Sequence, residues 1–127
     1  MKKFCVIGNP INHSFSPAIF KYVFNFFNIK ATYDSKLIDS NESFINFITN
    51  NRKSYSGFNI TSPYKGMAYD IVDELSPLAK ESKSVNCIKV KNSQLIGYNT
   101  DHYGFVNLLF ENNISLENKK ILVLGYG

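Results

Sequence analysis

The chain has 127 residues, 44% of them hydrophobic and 15% aromatic, enough for one domain with a real core, and its 19% charged fraction is ordinary for a globular protein. The net charge of +4 comes from scattered lysines ("KKF", "KES", "KSV", "IKVKN") that never condense into a basic stripe, which argues against a nucleic-acid partner. Cys5 and Cys87 stand far apart in apolar runs, without a CxxC and without metal-ligand spacing to His13 or His102, so no metal site is expected and both read as buried free thiols of a reducing compartment.

In chain order, "FCVIG" (residues 4–8) is a short apolar run closed by Gly-Asn-Pro and predicts a buried strand. The apolar stretch is too short for a signal peptide, and nothing later reaches the length of a membrane span, so a cytoplasmic location without membrane contact is expected. Ser16 as cap and Pro17 as first residue then open a helix with Ile19, Tyr22, Val23, Phe26 and Phe27 at helical spacing. "TYDSKLID" suggests a second strand, residues 41–50 a helix buried through Phe44, Phe47 and Ile48, and "SGFNI" a third strand. From "TSPYKG" to Lys83 the pattern is a broken helix restarted at Ser76-Pro77. "NCIKVKNSQLIGYN" carries a hairpin signal, Thr100 or Asp101 can cap a helix bearing Phe105, Leu108 and Leu109, and "KKILVLG" closes as another strand. Strands alternating with helices predict an α/β fold, a three-layer α/β/α sandwich with a mostly parallel sheet and helices on both faces.

Open α/β sheets bind ligands beyond the carboxyl ends of their strands. Three polar loops follow predicted strands and lead into helices: "GNPINHSFSP", "TSPYKG" and "YNTDHYGF". Ser14 and Ser16 place two hydroxyls at a helix start suited to a carboxylate or phosphate, or they simply turn and cap. Asn59 and Thr61, two residues apart, point to one side of the chain if the strand continues; satisfaction of the loop end is the plain alternative. Lysine is mildly disfavoured in a first helical turn, so Lys65 either lies on a solvated face or has a carboxylate partner, for which Asp101 is the candidate. A Lys-Asp pair could move a proton to or from an alcohol or carbonyl oxygen, whereas Asp101 alone could serve as a helix cap. Asn86 offers an amide to a hydroxyl or merely turns the chain, and His13 and His102 read as structural.

Taken together, "GNPINHSFSP", "GFNITSPYK", "SVNCI" and "GYNTDHYGF" resemble, in order and spacing, the substrate-domain motifs of the shikimate dehydrogenases, over essentially the whole chain. The resemblance implies NADPH-dependent reduction of 3-dehydroshikimate to shikimate in aromatic biosynthesis. It implies that Ser14 and Ser16 hold the substrate carboxylate and that Asn59, Thr61, Asn86 and Asp101 bind ring hydroxyls, with Lys65, paired to Asp101, as acid/base. Residues 1–118 would form the substrate-binding catalytic domain. Residues 119–127 would be the first strand and truncated glycine loop of a Rossmann domain, with Gly125, Tyr126 and Gly127 beginning the NADP site. The fragment alone is then expected to be inactive, the partner expected is the small-molecule substrate, and a homodimer is the candidate assembly. Phe20 stands where the family often has His, Ser84 and Cys87 replace a small residue and Thr, and His102-Tyr103 is bulkier than usual, which leaves shikimate against quinate open. The rival readings are a stand-alone binding module for an anionic polyhydroxy acid without redox activity, a quinate/shikimate relative, and a folate-linked two-domain dehydrogenase.

Overall fold

The computed structural model describes residues 1–124. Its elements follow one another as β1 (Lys2–Gly8), α1 (Ser16–Phe26), β2 (Ala31–Leu37), α2 (Asn41–Asn50), β3 (Gly57–Ile60), α3 (Lys65–Ile71), β4 (Glu74–Leu75), α4 (Pro77–Ser82), β5 (Cys87–Lys91), β6 (Gln94–Tyr98) and α5 (Asp101–Glu111). The six strands form one sheet in the order β2-β1-β3-β5-β6-β4. Pairings β1–β2, β1–β3 and β4–β6 are parallel, while β3–β5 and β5–β6 are antiparallel, so the sheet is mixed. The antiparallel β5–β6 pairing follows from a tight hairpin, whose tip residues Asn92 and Ser93 both take positive φ, 52° and 62°.

Alternation along the strands separates two faces. Cys5, Ile7, Phe58, Ile60, Ile88 and Leu95 point to one, where they pack with Phe44 and Ile48 of α2, Ala68 of α3 and Ala79 of α4 in the main core. Burial pushes the Cys5 thiol up to about 12, so it stays a neutral, apolar core group. Phe4, Val6, Tyr33 and Asn59 share the other face by cross-strand partnership, and α1 lies there through Phe24 on Phe4 and Phe20 on Tyr33. Helices therefore do cover both faces.

Several local expectations are corrected. Ser16 is the first helical residue of α1 and not its cap; the cap position is Phe15, and the Ser14 hydroxyl accepts the Ser16 N–H at 3.3 Å instead. Of the apolar positions expected on this helix, Ile19, Tyr22 and Phe26, with Phe27 just past its end, stay exposed, because the sheet lies under Phe20 and Phe24. Neither Thr100 nor Asp101 caps α5 with its side chain: the Asn99 amide oxygen accepts from the N–H groups of Asp101 and His102, at 3.0 and 3.3 Å. The gap between α3 and α4 contains a two-residue strand, β4, too short to leave a periodic signal. Residues 121–124 form no strand, since no neighbouring strand among the described residues offers them a ladder.

The Arg52–Asp73 pair ties the end of α2 to the β4 edge. Arg52 donates to both carboxylate oxygens at 3.0 and 2.8 Å, and the Leu95 N–H donates to Asp73 Oδ2 at 2.7 Å. That backbone donor first, and the guanidinium second, hold the Asp73 carboxyl below its ordinary 3.8. A depressed carboxyl contributes stability at pH values above its unfolded pKa and loses it as pH falls through the folded one. With the Asp73 side chain 35% exposed, Asp73→Asn is expected to cost about 1 kcal/mol at pH 7. In thermal unfolding the gap to the parent should close as pH drops below the ordinary carboxylate value; a gap equal at pH 7 and pH 3 would disprove the assignment.

Candidate active site

The carboxyl ends of β1 and β3 meet through backbone bonds: Thr61 N–H donates to Ile7 O at 2.9 Å and Asn9 N–H to Ser62 O at 3.0 Å. Gly8 permits this approach, since a Cβ there would lie 2.4 Å from Thr61 Cγ2 and 3.0 Å from Ser62 O. The loop carrying Ser14 and Ser16 is thereby drawn beside the loop carrying Thr61 and Lys65. Because β5 runs antiparallel to β3, its start also arrives here, and the Asn86 carbonyl accepts the Ile60 N–H at 2.8 Å. An all-parallel sheet would have placed that start at the opposite end.

The result is a cleft of about 390 Å³ lined by Ser14, Ser16, Asn59, Thr61, Lys65, Asn86 and Asp101, with Val6, Ile11, Phe15, Phe20 and Ile60 as its apolar wall. All seven substrate-site residues expected from the sequence line this one space. Lys65 Nζ donates to Asp101 Oδ2 at 2.7 Å, and the two side chains are 36% and 52% exposed. Asn86 Nδ2 donates to Asp101 Oδ1 and to Thr100 Oγ1, both at 2.8 Å, while Asn86 Oδ1 accepts the Thr100 N–H at 2.9 Å. Both oxygens of Asp101 are thus engaged: the carboxylate orients an ammonium rather than capping its helix, and Asn86 is a bracket rather than a turn residue. A cation fixed beside hydroxyl and amide groups can bind an oxygen of a small polar anion and give it a proton.

Tyr33 was not singled out from the sequence, yet its phenol donates to Asn59 Oδ1 at 2.8 Å. The available signal was strand parity, since Tyr33 pairs with Phe4 on the face that Val6 and Asn59 share. Asn99 went unnoticed as well, and Thr100 was considered only as a helix cap, not as a partner of Asn86. His13, read as structural, stands in the cleft lining, whereas His102 lies away from it beside Leu78, Glu81 and Ser82. Gly125, Tyr126 and Gly127, expected at a cofactor, lie outside the described residues. No helix among the described residues is long and apolar enough to cross a membrane.

Residues 6–88, well over half of the chain, match the family model of the shikimate dehydrogenase substrate binding domain. The chain belongs to the shikimate dehydrogenase family. A Pelagibacter ubique protein named shikimate dehydrogenase (NADP(+)) is 44% identical over 127 residues, 99% of this chain and 48% of that protein. Among solved structures, a shikimate dehydrogenase from Peptoclostridium difficile superposes with a TM-score of 0.85 at 34% identity, covering 90% of this chain and 43% of that one. The Thermus thermophilus enzyme, solved in complex with shikimate, gives 0.86 at 29% identity over 94% of this chain and 46% of its own. The chain therefore spans about half the length of the shikimate dehydrogenases it matches.

Proposed function

We propose that this chain is the substrate-binding part of an NADP-dependent shikimate dehydrogenase, which interconverts 3-dehydroshikimate and shikimate. The observation that carries the reading is the 2.7 Å Lys65–Asp101 pair in the same cleft as the Ser14 and Ser16 hydroxyls. Family membership and the curated name of the Pelagibacter ubique relative support it. In this reading Ser14 and Ser16 take the substrate carboxylate, and Asn59, Thr61, Asn86 and Asp101 take ring hydroxyls. Lys65 Nζ gives a proton to the carbonyl oxygen during reduction and recovers it in the reverse direction, while Asp101 keeps the ammonium aimed. NADPH would supply the hydride. Its site is assigned to a Rossmann domain beginning near residue 119, with Gly125, Tyr126 and Gly127 in the first glycine loop. The enzyme is read as cytoplasmic and as a homodimer.

Ser14→Ala with Ser16→Ala tests the carboxylate assignment. In the full-length enzyme the pair of changes should weaken shikimate binding by about 1–3 kcal/mol, because hydrogen bonds to a charged group exceed those between neutral groups. Calorimetry that finds unchanged affinity in a folded double variant would remove both residues from the carboxylate site. Full-length protein without shikimate-dependent reduction of NADP would overturn the reading as a whole.

A further inference from the structure

We propose that Tyr33 is a positioning residue that fixes the amide of Asn59, so that Asn59 meets the substrate as a hydrogen-bond donor only. This rests on the reading of the cleft as a shikimate site.

An asparagine amide can present either its oxygen or its NH₂ group, and its surroundings decide which. Asn59 Oδ1 is taken by the Tyr33 phenol at 2.8 Å. On the other side Asn59 Nδ2 donates to the Asn86 carbonyl at 3.4 Å, a long bond that leaves N–H capacity for a ligand. Rotating the amide by half a turn would set its oxygen against that carbonyl, acceptor facing acceptor. The phenol and the carbonyl therefore select the same orientation.

Tyr33 is itself held in place by its ring. Its ring stacks on Phe20 with centroids 4.3 Å apart and planes 7° from parallel. Burial pushes the phenol pKa up, with Ser16 acting weakly in the opposite sense. Tyr33 thus remains a neutral donor through the working pH range and, through its stack on Phe20, links α1 with Asn59 on β3. An Asn59 that only donates binds a substrate hydroxyl or oxo oxygen, whose lone pairs accept its N–H, and it rejects an ammonium at the same place.

The test uses the full-length enzyme with Tyr33→Phe, which keeps the stacked ring and removes only the hydroxyl. KM for shikimate should rise roughly 3–10-fold while kcat stays within about threefold, because the loss falls on binding. In an Asn59→Ala background the same change should shift KM by less than about twofold, since the group through which Tyr33 acts is gone. An unchanged KM, or an equal KM rise in both backgrounds, overturns the positioning role. A parent enzyme without shikimate turnover overturns the functional reading, and the substrate role of Tyr33 falls with it.

Discussion

Lys65→Ala is expected to lower kcat of the full-length enzyme by about 10²–10⁴-fold, the span usual for a positioned proton donor. Lys65 opens α3 at the end of the loop after β3, and its backbone carbonyl is anchored by the Val85 N–H at 3.0 Å. The side chain leans onto Asp101, whose second oxygen is held by Asn86, so the ammonium is presented in one place. Substrate affinity should suffer less, because Ser14, Ser16, Asn59 and Asn86 remain. Folding stability should change by under about 1 kcal/mol: the pair is substantially exposed, and water can solvate the freed carboxylate. Lys65→Arg should restore little, since guanidinium does not readily release a proton. Steady-state kinetics giving near-normal kcat and only a raised KM would make Lys65 a substrate ligand rather than the acid.

The second large effect belongs to the core. Phe44 is fully buried and stacks on Tyr64, with centroids 4.7 Å apart and planes 6° from parallel, and the Tyr64 phenol donates to the Ile38 carbonyl at 2.7 Å. Phe44→Ala removes the ring and leaves a cavity under Tyr64, at an expected cost of about 3–5 kcal/mol for one buried aromatic. Domains are stable by roughly 5–15 kcal/mol, so the variant should lose a large share of its stability in urea. Tyr64 immediately precedes Lys65 and accepts the Ala68 N–H, so the loosened ring should also raise the mobility of the α3 start. A loss below about 1 kcal/mol would mean that the core collapses into the space.

Much of this was legible in the sequence because the informative signals are local. Apolar runs ending in Gly-Asn-Pro or Thr-Ser-Pro marked strand ends, and polar loops leading into helices marked where side chains gather. The pairing of Lys65 with Asp101 was suggested by a lysine disfavoured in its first helical turn and by an aspartate that starts another helix at a strand end. What escaped depended on contacts distant in sequence. The antiparallel β3–β5 pairing is a matter of topology, and the phenol of Tyr33 meets Asn59 across 26 positions. The helix caps were misplaced because a hydroxyl or carboxylate near a helix start looks like a cap whether or not another group has already engaged it. Ser14 served the α1 start in place of Ser16, and Asn99 served α5 while Asp101 turned to Lys65 and Asn86.

The β5–β6 hairpin has a consequence for engineering this chain. Its rungs run from Lys91 opposite Gln94 to Cys87 opposite Tyr98, and one step further Asn86 reaches Thr100 and Asp101. The two-residue tip at Asn92 and Ser93 therefore acts as a ruler, set five rungs and roughly 17 Å from the bracket it calibrates. Adding or deleting one residue at the tip would slide β6 along β5 and turn each of its side chains to the opposite face. Asp101 would part from Asn86 although no cleft residue had been altered. A library designed to vary only surface turns would meet an active-site defect there.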